Sequence, residues 1–394
     1  MSAVVLGVGM VPFTTPRLSA PYDELAEGAV RAALTDAGIG LADVQQVYAS
    51  YVYGDSTCGQ RALYRVGAVG MPVINVNNNC SSGSSALFLA RQAVESGAAD
   101  CVLAFGFEQM QRGALRSRWD DRPDPLGRFA DVAEQAQGAH DGVPVAAQYF
   151  GGAGQAYADR YGTRRETFAQ ISVKSRNHAR HNPFAVFRQP VTVEEVLGSG
   201  EVFGPLTRLQ CCPPSCGAAA VVVASPEVAS RYRPGAPQVS IRAQAMTTDT
   251  DVSFDATDLT RLVGYDMTAR AAKAVYTASG VDPGDVPVVE LHDCFSANEL
   301  ISYEALGLTP EGTAEQFVMD GENTYGGRVV TNPSGGLLSK GHPLGATGLA
   351  QCSELVWQLR GHAGARQVDG ARLALQHNIG LGGAAVVTLY ERAG

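Results

Sequence analysis

Residues 22–50 read YDELAEGAVRAALTDAGIGLADVQQVYAS, and residues 264–292 read GYDMTARAAKAVYTASGVDPGDVPVVELH. Set side by side at a constant offset of 242, the two stretches carry one pattern. Leu25, Ala29, Ala33 and Ala37 recur as Met267, Ala271, Val275 and Ser279, a helical apolar stripe. Gly38 and Gly280 close each stripe where a left-handed cap is needed, and Asp43-Val44 matches Asp285-Val286 ahead of a short strand-like run. So many matches in register indicate a duplicated chain. The copies continue in parallel. Cys80 precedes a helical pattern through Ala86, Leu87, Ala90 and Val94, ended by Gly97, with a strand at Cys101–Phe105. His342 precedes one through Leu349, Val356 and Leu359, ended by Gly361, with a strand at Leu373–Leu375. Helices alternating with short buried strands predict an α/β protein of two similar halves packed together.

The stretch between the copies breaks the pattern. Residues 108–215 are rich in Arg, Gln, Pro and His, with irregular periodicity and only short helical runs such as Glu166–Ser175. They are expected to form an inserted loop domain over the site. Gly217–Ser225 reads as the last strand of the first half. The expected organisation is 1–107 plus 216–235 as the N-terminal half, 108–215 as the insertion and 236–394 as the C-terminal half.

A net charge of −9 argues against nucleic acid as a partner, since phosphate binding needs a basic face. No apolar run reaches membrane-spanning length, and the N-terminus carries no basic leader. Eight scattered cysteines in a chain of 394 residues do not form a disulfide framework, so a reducing cytoplasm is the expected setting. Gly7-Val8-Gly9-Met10-Val11-Pro12 has the spacing of a dinucleotide fingerprint, but Pro12 replaces the third glycine and opposes a helix there. Cys211, Cys212 and Cys216 lack an adjacent fourth ligand at zinc-site spacing.

Four motifs carry the chemistry. Asn77-Asn78-Asn79-Cys80-Ser81-Ser82-Gly83-Ser84 puts a cysteine between a strand end and a helix start, where the helix dipole favours a thiolate and small residues admit a substrate. Position alone divides evenly between that reading and a buried structural thiol. Gly341-His342-Pro343 fixes a histidine at a helix start, a suitable post for a base. Its pseudo-equivalence to Cys80 outweighs the plainer reading of a satisfied structural histidine, because symmetric halves bring matching loops face to face. His292-Asp293-Cys294-Phe295 offers a second thiol for moving a proton to and from a carbanion. His377-Asn378-Ile379-Gly380-Leu381-Gly382-Gly383 is a glycine-rich turn at the C-terminal edge of a strand, where open α/β sheets place ligands.

These four blocks, in this order, resemble the thiolase superfamily, and within it the sterol-carrier-protein-type, lipid-transfer-protein-like thiolases. The similarity runs over about residues 3–390 and includes Tyr53–Arg61 and Gly341–Gly361. It implies a layered αβαβα thiolase fold and an acyl-CoA C-acyltransferase with Cys80 as nucleophile, His342 as its base, Cys294 as acid/base and His292 in the oxyanion hole. Asn378, Gly380 and Gly341 are the expected substrate-binding positions. No bound cofactor or metal is implied; coenzyme A and acyl-CoA enter as substrates. The resemblance also implies a homodimer or dimer of dimers, and allows a small partner protein of the OB-fold (DUF35) type. Classical thiolases carry their acid/base cysteine in the last block, where this chain has His377-Asn378; the resemblance implies that Cys294 takes its place. Related steroid aldolases of this fold usually lack the nucleophilic cysteine. Cys216-Gly217 stands where the family usually has Asp-Gly, and the chain stops after the thiolase unit, where mammalian relatives often carry a lipid-carrier domain. Two other readings compete: a retro-aldolase or C-acyltransferase working with the partner protein, and a non-catalytic lipid or acyl-CoA carrier.

Overall fold

The computed structural model describes residues 2–111, 119–235 and 237–393. Residues 112–118 of the inserted segment, and Ala236 and Gly394 of the C-terminal half, lie outside them.

Ten strands form the main sheet: β1 (Val4–Met10), β2 (Gln46–Ser50), β3 (Val73–Val76), β4 (Cys101–Glu108), β5 (Gly217–Ala224), β6 (Val239–Thr247), β7 (Val288–Glu290), β8 (Val330–Thr331), β9 (Leu373–Gly380) and β10 (Ala384–Arg392). Helices of eight residues or more are α1 (Tyr22–Ala37), α2 (Ser82–Glu95), α3 (Gly127–Gln137), α4 (Val145–Tyr161), α5 (Arg165–Ala179), α6 (Tyr265–Ser279), α7 (Ser296–Ala305) and α8 (Leu344–Arg360). The sheet runs β8-β7-β9-β10-β6-β1-β5-β4-β2-β3. Each half thus orders its strands third, second, fourth, fifth, first. In each, the second strand pairs parallel with the third and fourth, and the fifth pairs antiparallel with the fourth and first. The duplication read from helix stripes extends to every strand pairing. The two leaves meet where Val4 and Val5 of β1 pair with Ser240 and Val239 of β6.

Side-chain alternation defines the layers. Along β5, Ala219, Val221 and Val223 face a central core with Leu87, Ala90 and Val94 of α2 and Leu349, Leu355 and Leu359 of α8. Ala218, Ala220, Val222 and Ala224 face the opposite core, with Leu25, Ala29 and Ala33 of α1. With both faces covered, the strand reads as an unbroken apolar run. In the second half, Leu375, Val387 and Leu389 face Ala271 and Val275 of α6. Helix, sheet, central helices, sheet, helix is the five-layer α/β arrangement expected. Gly7 and Gly9 lie within β1, where an added Cβ would come within 2.4 Å of the α1 backbone. Their spacing serves helix–sheet contact, which settles the dinucleotide question. Gly38 and Gly280 cap α1 and α6 in the left-handed conformation, as read from sequence.

Between β4 and β5 the chain holds more helix than its sequence pattern predicts. α4 runs seventeen residues and α5 fifteen. Gly151, Gly152 and Gly154 disguise α4 by weakening its helical signal. An added Cβ at these positions would press on the Phe203 carbonyl, the Gln137 amide and Ala297 respectively. The glycines trade propensity for close approach.

The decisive contact is between α2 and α8. A Cβ on Gly83 would lie 2.9 Å from the Gly345 carbonyl, and one on Gly348 2.3 Å from the Ser84 nitrogen. No helix among the described residues is long and apolar enough to cross a membrane. Because backbone blocks relief on the Ser84 side, Gly348→Ala is expected to destabilise the protein by about 1–3 kcal/mol through overpacking. A urea denaturation midpoint equal to that of the parent would refute this seam.

Candidate active site

Cys80 occupies a tight turn between β3 and α2. Asn79 before it adopts the left-handed region, φ 50°, and its amide donates to the Leu381 carbonyl at 3.1 Å, tying the turn to the β9–β10 hairpin. Ser81 and Ser82 N–H groups close the turn on the Asn78 and Asn79 carbonyls. Gly380 presses on it from the other half: an added Cβ there would sit 2.1 Å from the Asn78 carbonyl. Cys80 is partly buried, and its desolvation, with the Glu108 carboxylate adding to it, pushes the thiol pKa up to about 12, opposite to the lowering expected from its place before a helix. Glu108 itself, at the end of β4, accepts from the Val52, Tyr53 and Gly345 N–H groups at 2.9–3.1 Å. It thereby anchors the first turn of α8 beside the Cys80 loop.

His342 stands just before α8. Its N–H donates to Ser215 Oγ at 2.6 Å, and its Nδ1 lies 2.7 Å from Thr347 Oγ1. The Thr347 hydroxyl spends its proton on the Pro343 carbonyl at 3.0 Å, so it accepts from Nδ1–H. Nε2 therefore carries the lone pair, and it is buried without a partner. Burial, and then Lys340, depress this imidazole to about 3, so it is neutral at rest.

The loop after β7 brings the third group. The Cys80 thiol and one ring nitrogen each of His292 and His342 lie within 4.8 Å of one another. The two imidazoles meet edge to face with centroids 5.1 Å apart. Burial, then the neighbouring His342 and His377, hold His292 well below the usual imidazole range. Asn378 Nδ2 donates to His292 Nδ1 at 2.8 Å, and Asn298 Nδ2 donates to the His292 carbonyl. Asp293 accepts from the Leu337 N–H at 2.7 Å, holding the short turn that leads into Gly341-His342. Gly341 has φ 117° and packs against Ser215. Cys294 is buried, which raises its thiol well above the usual range; Cys212 and Cys80 are close enough to add to the effect.

The four sequence motifs thus converge on one place. Asn378 spends its side chain on His292 and Ser84, whose Oγ lies 2.9 Å from Asn378 Oδ1. His377 turns away, its Nε2 2.9 Å from Thr268 Oγ1. Cys216 stands apart at the start of β5, paired with Thr14 and with its thiol 3.5 Å from the Met110 carbonyl. All eight cysteines are free. Sequence reasoning missed Glu108, Ser215, Thr347, Gln376 and Asn298. Thr347 lies inside the block Gly341–Gly361 already singled out, but Glu108, Ser215 and Gln376 reach Gly345, His342 and Ser84 across more than 100 residues, and Asn298 depends on a loop fold that no periodicity announces.

Comparison with known proteins gives one family. Residues 3–227 match the family described as thiolase, N-terminal domain, and residues 245–392 match thiolase C-terminal domain-like. The chain is 53% identical over 392 residues to sterol carrier protein 2 of Oryctolagus cuniculus, covering 98% of this chain and 71% of that protein. It is 38% identical over 366 residues to acetyl-CoA acetyltransferase of Methanothermobacter thermautotrophicus, covering 91% and 92%. Among solved structures, an Ltp2-ChsH2(DUF35) aldolase superposes with a TM-score of 0.84 at 25% identity, covering 99% of this chain and 98% of that one.

Burial of neutral imidazoles links the site to acid stability. His377 is held at about 3 by burial alone, against about 6.5 in an unfolded chain. Unfolding therefore takes up a proton between those pH values. The contribution is fully present above the unfolded value and is lost as pH falls toward the folded one. His377→Gln is expected to flatten the acid limb of the stability curve by up to about 1.4 kcal/mol per pH unit between about pH 6 and pH 4. Urea denaturation across that range reads the slope, and an unchanged slope would mean that His377 is protonated in the folded protein.

Proposed function

The chain belongs to the thiolase family, and from that premise we propose that it is a 3-oxoacyl-CoA thiolase, cleaving its substrate with CoA through an acyl-Cys80 intermediate. The observation that carries this reading is the Cys80 thiol beside a buried His342 whose free Nε2 has no other partner. A high thiol pKa and a low imidazole pKa keep the resting pair uncharged. The proton moves when the substrate carbonyl arrives to take up the charge.

In the cleavage direction His342 Nε2 accepts the Cys80 proton, and the sulfur attacks the 3-keto carbon. His292 donates to the oxyanion that forms, a contribution of roughly 3–4 kcal/mol for a well-placed donor. The C2–C3 bond then breaks, leaving the acyl group on Cys80 and the acetyl- or propionyl-CoA enolate free. Cys294 gives that enolate its proton, and its own high pKa suits a group that must hold a proton until a carbanion demands it. CoA gives its proton to the Cys294 thiolate so formed and attacks the thioester, releasing the shortened acyl-CoA, while the departing Cys80 thiolate takes back the proton held by His342. Run in reverse, the same groups perform a Claisen condensation. Gly380 and Gly341, whose backbones border Cys80 and His342, are proposed to admit the thioester.

A second reading rests on the superposition with the aldolase complex. In it the chain acts with a small DUF35-type partner, and carbon–carbon cleavage needs neither an acyl-enzyme nor CoA.

Incubation with a 3-oxoacyl-CoA series and CoA, resolved by mass spectrometry, separates the two. Shortened acyl-CoA, acyl-Cys80 on the protein and no turnover by Cys80→Ala are the expected results. His342→Asn is expected to lower kcat/KM by roughly 10²–10⁴-fold, the range for a lost general base. Cleavage that persists in Cys80→Ala without CoA consumption would replace the thiolase reading with the aldolase one.

A further inference from the structure

Behind the reactive groups lies a chain of polar side chains that the reaction above leaves unused. Tyr390, Gln376, Ser84 and Asn378 are each fully buried. Gln376 Nε2 lies 2.7 Å from the Gly348 carbonyl, which can only accept, so the orientation of the Gln376 amide is fixed. Its Oε1 then accepts from the Tyr390 hydroxyl at 2.5 Å, and its second Nε2 proton goes to Ser84 Oγ at 2.9 Å. Ser84 passes its own proton to Asn378 Oδ1 at 2.9 Å, which leaves Asn378 Nδ2 facing His292 Nδ1 at 2.8 Å. From Tyr390 to Asn378, each link of the chain donates toward the histidine.

We infer that Tyr390, Gln376, Ser84 and Asn378 are positioning residues that hold His292 as its Nε2–H tautomer, aimed into the site as a hydrogen-bond donor. The inference rests on the reading of His292 as a donor to the oxyanion and extends it to the residues that make it one. The relay has a second consequence. Cys80, His292 and His342 are close enough for a soft divalent cation, and a ligating histidine needs a free lone pair on the metal side, with an acceptor behind its other nitrogen. Asn378 presents a donor there, so His292 is unavailable as a ligand.

The test is a tautomer measurement followed by an inversion. In protein labelled with ¹⁵N-histidine, long-range ¹H–¹⁵N spectra are expected to show His292 protonated on Nε2 and bare on Nδ1, the signal being assigned by its loss in His292→Asn. Asn378→Asp keeps the size but puts an acceptor behind Nδ1, and it is expected to move the proton there. Kcat should fall by about 10²–10³-fold, as for loss of an oxyanion donor, with KM little changed. Zn²⁺ should inhibit that variant at concentrations at least about tenfold below those needed for the parent, reversibly with chelator. Asn378→Ala should lose activity without gaining zinc sensitivity, which separates the polarity of the hydrogen bond from mere disturbance. A parent His292 protonated on Nδ1, or an Asp variant that keeps Nε2–H, overturns the relay even if thiolysis is intact. The expected spectrum in a protein that performs no thiolysis would instead uphold the relay and refute the proposed function.

Discussion

The glycine seam between α2 and α8 is the constraint on which the site depends. A Cβ on Gly83 would meet the Gly345 carbonyl at 2.9 Å, and one on Gly348 the Ser84 nitrogen at 2.3 Å, both closer than real Cβ atoms approach. These contacts lie one turn beyond Cys80 on one helix and within two turns of His342 on the other. Two helices crossing at their starts bring both lead-in loops to a single point, with both N-terminal ends turned toward it. Gly106 of β4 belongs to the same seam, since a Cβ there would meet the Gly345 carbonyl at 2.0 Å. Ser50 Oγ donates to that carbonyl at 2.7 Å, and Glu108 accepts from the Gly345 N–H. One half therefore grips both polar groups of a single residue of the other.

Buried ion pairs hold the remaining loops. Lys340 lies 3.3 Å from Glu290, and Lys174 pairs with Glu299, each partner almost wholly enclosed. Such pairs return little net stability, because desolvation offsets most of their attraction. Their geometric effect is clearer. Glu290 also accepts from the Ser334 N–H and hydroxyl, at 3.0 and 2.8 Å, so the end of β7 is fastened to the segment that leads to His342. Lys174 also reaches Thr331 Oγ1 at 2.6 Å, linking α5 to β8. The charge in this region is structural, and Cys80, His292 and His342 are themselves neutral at rest.

Much of this was legible from the amino-acid order because the duplication is written in apolar stripes and capping glycines. Gly38 and Gly280 mark equivalent helix ends, and Cys80 and His342 stand before equivalent helices, so their meeting followed from symmetry. Strand lengths were less accessible. β9 runs to Gly380, well past the apolar Leu373–Leu375, because Gln376, His377 and Asn378 are polar residues buried in a strand and satisfied by distant partners. α4 was hidden by glycines that serve contact with Phe203 and Ala297. Asn378 read as a ligand for substrate because its motif borders the site. That its amide is committed to His292 and Ser84 depends on two contacts, 86 and 294 residues away in sequence.

In the proposed reaction His292 and His342 show how little separates a donor from a base. Both are buried, both are neutral at rest, and their rings lie 5.1 Å apart. What differs is the group behind Nδ1. At His342 the Thr347 hydroxyl donates to the Pro343 carbonyl and accepts from Nδ1–H, so Nε2 offers the lone pair. At His292 the Asn378 Nδ2 group can only donate, so Nδ1 gives up its lone pair and Nε2 keeps the proton. In the proposed reaction the first imidazole must remove a proton and the second must stabilise negative charge without losing one. Burial alone could not assign these roles, since it shifts both rings in the same direction. The polarity of one hydrogen bond behind each ring can, and each is fixed in turn by a backbone carbonyl, Pro343 for one and Gly348, through Gln376 and Ser84, for the other.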